Sequence, residues 1–242
     1  LPRVWPWSSR DRIEVVDTLT PRFEHDQLKA LAQNHLLSGL LEVINLRKRE
    51  IALVWVDNRL DEVVSEGRHA YWTGSATVEV IDTCEPRFTH TRLRILVEDE
   101  RLASRLTVID LKDDERALVW VDGRLSAVLA KGIHAYWNEG VSIKVERYSV
   151  NDVRFDHPKI EAVLLLPGSA NAFTGIRVES HETVLIFRDG ELIDQVGAGL
   201  YVYWKGGSSI TWKSVDLREQ IEDIQGQEIL TSDKVSLRVN LV

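Results

Sequence analysis

The sequence predicts a mainly β protein built from tandem small antiparallel modules of about 65 residues each, with at most short helices. Three observations predict it. A segment of the chain recurs almost without gaps, each copy carries a tight-turn dipeptide between two β-rich runs, and the first of those runs is apolar on both faces.

The repeat comes first, because self-similarity outranks local propensity. Residues 50–72 read EIALVWVDNRLDEVVSEGRHAYW and residues 115–137 read ERALVWVDGRLSAVLAKGIHAYW. A third copy, ETVLIFRDGELIDQVGAGLYVYW, occupies residues 182–204. The shift is 65 residues from Trp72 to Trp137 and 67 from Trp137 to Trp204. A second signature precedes each copy: Pro21-Arg22-Phe23-Glu24-His25, Pro86-Arg87-Phe88-Thr89-His90 and Val153-Arg154-Phe155-Asp156-His157. Trp7 closes a VWPW string where a HAYW end would fall, so residues 1–10 read as the tail of a preceding repeat. Modules follow at 11–73, 74–138 and 139–205, and a different segment occupies 206–242.

Within a copy, the first strand is rich in Val, Ile, Leu and aromatics. The turn then falls at Asp57-Asn58, Asp122-Gly123 or Asp189-Gly190, residue types that supply the positive φ of a primed hairpin turn. The acids themselves read as Asx-type turn residues rather than catalytic groups. Gly67, Gly132 or Gly199 marks a bend in the second strand before its aromatic end. Between the signatures, Leu93 to Glu98 reads as a strand and Glu100 to Leu106 as one or two helical turns. Pro167-Gly168-Ser169 is expected to break any such helix in the third copy. In Ala117-Leu118-Val119-Trp120-Val121 both alternate faces are apolar. One face covers the module's own core; the other requires a neighbour, either the next module or another chain.

Composition narrows the function. Hydrophobic residues are 44% and charged residues 28% of the 242, the balance of a folded rather than a disordered chain. A net charge of -8 without a compact Lys/Arg cluster argues against nucleic acid and against an anionic membrane surface as partners. The single Cys84 excludes an intrachain disulfide and a Cys-based zinc cluster and suits a reducing cytoplasm. No apolar run approaches the roughly 20 residues of a membrane span. The chain contains no Met, so a piece of a longer product is expected.

His25, His90 and His157 could in principle bind metal, but no acid or cysteine companion recurs at ligand spacing, so they read as packed at module joints. His69 and His134 are replaced by Tyr201 in the third copy, which marks a packing position. Trp55, Trp120 and Phe187 hold matched places in the first strand, and Trp72, Trp137 and Trp204 in the aromatic end; all six are assigned to repeat packing. Gly197-Ala198-Gly199 lies inside a hairpin with no helix after it and is not a dinucleotide loop. Catalytic, cofactor and metal residues are therefore all expected to be absent, and the protein is not expected to be an enzyme.

The third copy and the segment after it resemble bacterial slipins of the stomatin/prohibitin/flotillin (SPFH) superfamily. The resemblance runs through His181-Glu182, Phe187-Arg188-Asp189-Gly190, Gly197-Ala198-Gly199-Leu200 and Val215-Asp216-Leu217-Arg218, and on through Gly226-Gln227-Glu228-Ile229-Leu230-Thr231-Ser232-Asp233-Lys234-Val235. It covers about the last 60 residues and implies that 206–242 begins an SPFH domain. Alternation of Val235, Leu237, Val239 and Leu241 with polar residues reads as a half-buried strand there. The plan is similar to that of vault-type proteins, with β repeats ahead of an SPFH-like region. The resemblance implies a non-enzymatic, self-assembling scaffold: the repeat arm of a large ring, cage or shell-like homo-oligomer whose partner is itself, through lateral contacts. The alternative is a partner-recruiting module of a membrane-associated slipin, binding a protein cargo or a protease. Localisation is expected to be cytoplasmic, either free or peripheral to a membrane.

Overall fold

A computed structural model describes residues 15–34, 37, 39–219 and 224–241. The preceding-repeat tail expected at 1–10 lies outside the described residues. The described chain is mainly β, with several small antiparallel sheets in tandem and only short helices.

The first copy contains α1 (Leu28–Leu31), β1 (Leu41–Leu46), β2 (Glu50–Val56), β3 (Arg59–Val64), β4 (Gly67–Trp72) and β5 (Thr77–Asp82). These strands form two sheets. In what we call the signature sheet, β4 pairs with β1 and bridges Arg22 through Tyr71. In the hairpin sheet the order is β3-β2-β5. The second copy repeats this with β6 (Arg87–Phe88), α2 (Leu93–Leu96), α3 (Glu100–Ala103), β7 (Leu106–Leu111), β8 (Glu115–Val121), β9 (Arg124–Leu129), β10 (Gly132–Trp137) and β11 (Ile143–Ser149). Its sheets are β6-β10-β7 and β11-β8-β9. The third has β12 (Arg154–Phe155), α4 (Ile160–Leu164), α5 (Ser169–Ala172), β13 (Phe173–Val178), β14 (Glu182–Arg188), β15 (Glu191–Val196), β16 (Gly199–Trp204) and β17 (Ile210–Asp216). Its sheets are β12-β16-β13 and β15-β14-β17. A final hairpin joins β18 (Ile224–Leu230) to β19 (Ser236–Leu241). The expected burial alternation in this last strand falls mostly on side chains outside the described residues.

Several local readings need correction. Gly67, Gly132 and Gly199 do not bend one strand; each opens a strand that belongs to a different sheet from the one before it. Their φ values of 136°, 121° and 149° allow the abrupt change of direction that a side chain would resist. Leu93 to Glu98 is not a strand. Leu93–Leu96 is helical, with Leu96 buried and Ile95 turned to solvent, and a four-residue helix is too short for its period to stand out in sequence. Pro167-Gly168 separates two short helices rather than abolishing them: Gly168, at φ 82°, precedes α5, and Ser169 Oγ donates to the Leu164 carbonyl at 2.6 Å. The boundaries drawn at 73, 138 and 205 each fall just before the strand (β5, β11 or β17) that completes the preceding hairpin sheet.

By compactness the chain divides into Leu1–Ile109 with His134–Val141, and Asp110–Ile133 with Ser142–Val242. In the first unit β2 is the central strand, and it is buried on both faces. Ala52 and Val54 pack with Leu46, Val64 and Tyr71 inside the first copy. Ile51, Leu53 and Trp55 pack with Phe88, Leu96, Leu102, Leu106, Ala135 and Trp137 of the second copy. The second unit repeats the arrangement. Leu118 of β8 packs with Phe155, Val163, Phe173, Val202 and Trp204 of the third copy. On the other face of β16, Tyr203 joins Ile176, Val178, Val184, Ile186 and Val196. In the first two copies, then, the neighbour demanded by the second apolar face is the next module in series.

Candidate functional site

The turn residues occupy two-residue hairpin loops, since Val56 faces Arg59, Val121 faces Arg124 and Arg188 faces Glu191. Both central residues have positive φ in every copy: 48° and 62° at Asp57-Asn58, 49° and 74° at Asp122-Gly123, 50° and 89° at Asp189-Gly190. That is the signature of a type I′ turn, whose twist matches the strands it joins. The acids do more than an Asx turn. Asp122 Oδ1 accepts the Ser142 N–H at 2.9 Å and Asp189 Oδ1 accepts the Ser209 N–H at 2.8 Å, twenty residues along the chain in both cases. Each carboxylate thereby ties its hairpin tip to the approach of the sheet's third strand. A register shift falls within the first strand of each hairpin at the same place, between Val54 and Trp55, Val119 and Trp120, and Ile186 and Phe187. It leaves one extra residue on the partner strand, at Asp61, Ser126 and Ile193.

His90 and His157 sit where one module meets the next. His25, His90 and His157 each accept, at Nδ1, the backbone N–H two residues on (Gln27, Arg92 or Lys159), at 2.9, 2.9 and 3.0 Å. Their carbonyls accept from Leu28, Leu93 and Ile160, so each histidine pins the start of a short helix. With Nδ1 an acceptor, the ring proton belongs on Nε2. In the second copy His90 Nε2 meets Glu79 Oε2 at 2.9 Å; in the third, His157 Nε2 lies 3.4 Å from Glu146 Oε2. The His90 ring stacks between Phe88 and Trp55, and His157 lies between Phe155 and Trp120. Arg92 lies 4.8 Å over the Trp55 ring and Lys159 lies 4.7 Å over that of Trp120. Each joint thus holds an aromatic, a histidine, an acid and a cation in one layer.

The expectation that no acid recurs beside these histidines is corrected by Glu79 and Glu146, which both stand opposite the middle leucine of the central strand, Leu53 and Leu118. Their separation of 67 residues departs from the 65 of the hairpins, and that offset hid the match. The arrangement engages both ring nitrogens of His90 and leaves neither for a metal ion. Among the described residues no group of three or more His, Cys, Asp or Glu is placed to hold one. A solvent-open cavity of about 370 Å³ borders the first joint, between Trp55, Thr77, Glu79 and Arg92. One of about 380 Å³ borders the second, between Trp120, Lys144, Glu146 and Lys159. Lys144 holds the Glu146 carboxyl below the usual carboxylate range.

The packing residues named from sequence divide by position. Trp55 and Trp120 are buried at the joints, while Phe187 in the third copy is only half-buried. Trp137 and Trp204 are buried against Phe88 and Phe155; Trp72, against Phe23, stays half-buried. Cys84 is exposed. No described helix is long and apolar enough to cross a membrane. Compared with known proteins, the chain matches no family model, no curated protein and no solved structure.

Proposed function

We propose that the protein is a non-enzymatic structural scaffold: a repeat arm whose copies associate side by side into a ring, cage or shell-like homo-oligomer. The observation that carries this reading is the keyed joint, the same Trp–His–Glu–cation layer built twice where one module meets the next. A joint of that kind fixes the angle between successive sheets and spends its polar groups on doing so. It suits a part whose task is to hold shape.

The support for a second chain has moved from faces to edges. The second apolar faces of β2 and β8 are satisfied in series, so they no longer call for another molecule. Every hairpin sheet nevertheless keeps two edge strands, one of the β3 type and one of the β5 type. Such edges invite pairing unless bulged, charged or covered. The resemblance to the start of an SPFH domain supports the same reading.

Sedimentation velocity and negative-stain microscopy on the chain test it. Concentration-dependent association into discrete closed species is expected. A monodisperse monomer at high micromolar concentration overturns the scaffold and leaves partner recruitment in its place.

A further inference from the structure

The two joints are built alike, and the cavities beside them match in size, about 370 Å³ at the first and 380 Å³ at the second. Each is bounded by the hairpin tip and third strand of one copy and by the histidine segment of the next. Their charges do not match. The first holds Asp57 and Glu79 against Arg92, whose guanidinium also donates to the Asn58 carbonyl at 3.2 Å. The second holds Lys144 and Lys159 against Glu146. Lys144 stands opposite Trp120 where Thr77 stands opposite Trp55. One cavity is therefore acidic on balance and the other basic.

Two groups in the second cavity lack partners of their own. Lys144 pairs with Glu146 at 2.7 Å and neutralises it, whereas among the described residues no acid pairs with Lys159. The Lys159 ammonium lies 4.7 Å over the Trp120 ring instead. Trp120 is only 7% exposed, and its buried indole N–H has no hydrogen-bond partner among the described residues. A donor taken out of water without an acceptor is costly, and in the wall of a cavity it calls for one. Beside these two groups the Trp120 ring and Pro158 supply apolar surface.

We infer that the second joint cavity binds a small amphipathic monocarboxylate, with its carboxylate on Lys159 and the Trp120 indole N–H and its apolar body against Pro158 and the indole. A carboxylate has two acceptor oxygens and so serves an ammonium and an N–H together. One negative charge balances the one unpaired cation, whereas a dianion would bring a second charge towards Glu146. The volume falls within the range of small-molecule sites, and such sites combine apolar walls with a few placed polar groups. The first cavity, acidic on balance, repels the same ligand. Lys144 and Glu146 belong to the hairpin sheet of the second copy, and Pro158 and Lys159 to the third copy. A ligand held between them braces the joint. This inference goes beyond the scaffold reading and does not depend on it.

Titration of the full chain with benzoate tests it, read by heteronuclear NMR at the assigned indole N–H resonances of Trp120 and Trp55. The Trp120 resonance should move and saturate while that of Trp55 stays, and the melting temperature should rise with benzoate. Lys159→Gln, a surface change whose folding circular dichroism checks, should weaken binding by about tenfold. Benzamide, which has the shape without the charge, should leave both resonances in place. A Trp120 resonance that benzoate does not move overturns the inference. So does an equal response to benzamide, which would mark an apolar recess, or to inorganic phosphate, which would mark adventitious anion binding. Trp55 moving together with Trp120 overturns it as well. Sedimentation velocity without benzoate reads association separately, so the scaffold reading stands or falls by itself.

Discussion

The central strands β2 and β14 occupy the same place in their modules, yet one is sealed and the other half-open. On β2 the outward residues Ile51, Leu53 and Trp55 are buried under the second copy. On β14 the matching residues are Thr183, Leu185 and Phe187, of which the last two are only half-buried. Trp has become Phe, and Val63 and Val128 of the flanking strand have become Gln195. Thr183, the buried member, spends its hydroxyl on the Val196 carbonyl at 3.1 Å. The difference teaches that the repeat is not uniform: the outward faces of β2 and β8 are covered by the next module, while that of β14 has lost its Trp and is half-open.

The largest expected effect sharpens that contrast. Trp120→Ala should destabilise the protein by about 3–5 kcal/mol, the usual range for emptying a buried aromatic site. Phe187→Ala should cost about half that or less, since less apolar area is removed from water. Denaturant melting of both variants checks it, and equal losses would erase the distinction between the two strands.

A smaller effect concerns the backbone. Gly132→Ala should cost about 1–3 kcal/mol, because its φ of 121° lies where side chains are strained. No atom lies within 4 Å of the added methyl, so the loss is conformational and not a clash. Gly123→Asn should by contrast be nearly neutral in the same melts, as Asn58 already fills the matching turn position.

The smallest effect is electrostatic. Glu146 has its folded pKa lowered, chiefly by Lys144, so its contribution is present above the ordinary value of 4.5 and fades as pH falls through the lower folded one. Glu146→Gln should therefore leave the acid limb of the stability curve shallower, and equilibrium unfolding between pH 3 and 6, a window of roughly that width around the carboxylate range, reads it. An unchanged limb would mean that the second joint does not depend on its acid.

Much of this was legible in the sequence, and the reasons are specific. Asp122-Gly123 and its matches demand positive φ, and a chemical demand at the level of two residues survives any tertiary context. Apolar runs on both faces of β2 and β8 signalled a covering neighbour, although not which one. The switch of sheet at Gly67 was hidden because a bend and a change of sheet need the same residue. The helix at Leu93–Leu96 is not legible in the sequence because its stabilising feature, the His90 ring accepting the Arg92 N–H, is a single contact without periodicity. The acids of the joints were missed because two extra residues ahead of β11 broke the ungapped match.

The most direct test of the central claim is hydrogen–deuterium exchange of the chain at low and high protein concentration. The account predicts that amides of the hairpin-sheet edge strands become protected as concentration rises, while those of the central strands β2 and β8 stay unchanged because their neighbours are already in place. Edge-strand amides that exchange equally fast at both concentrations would contradict it.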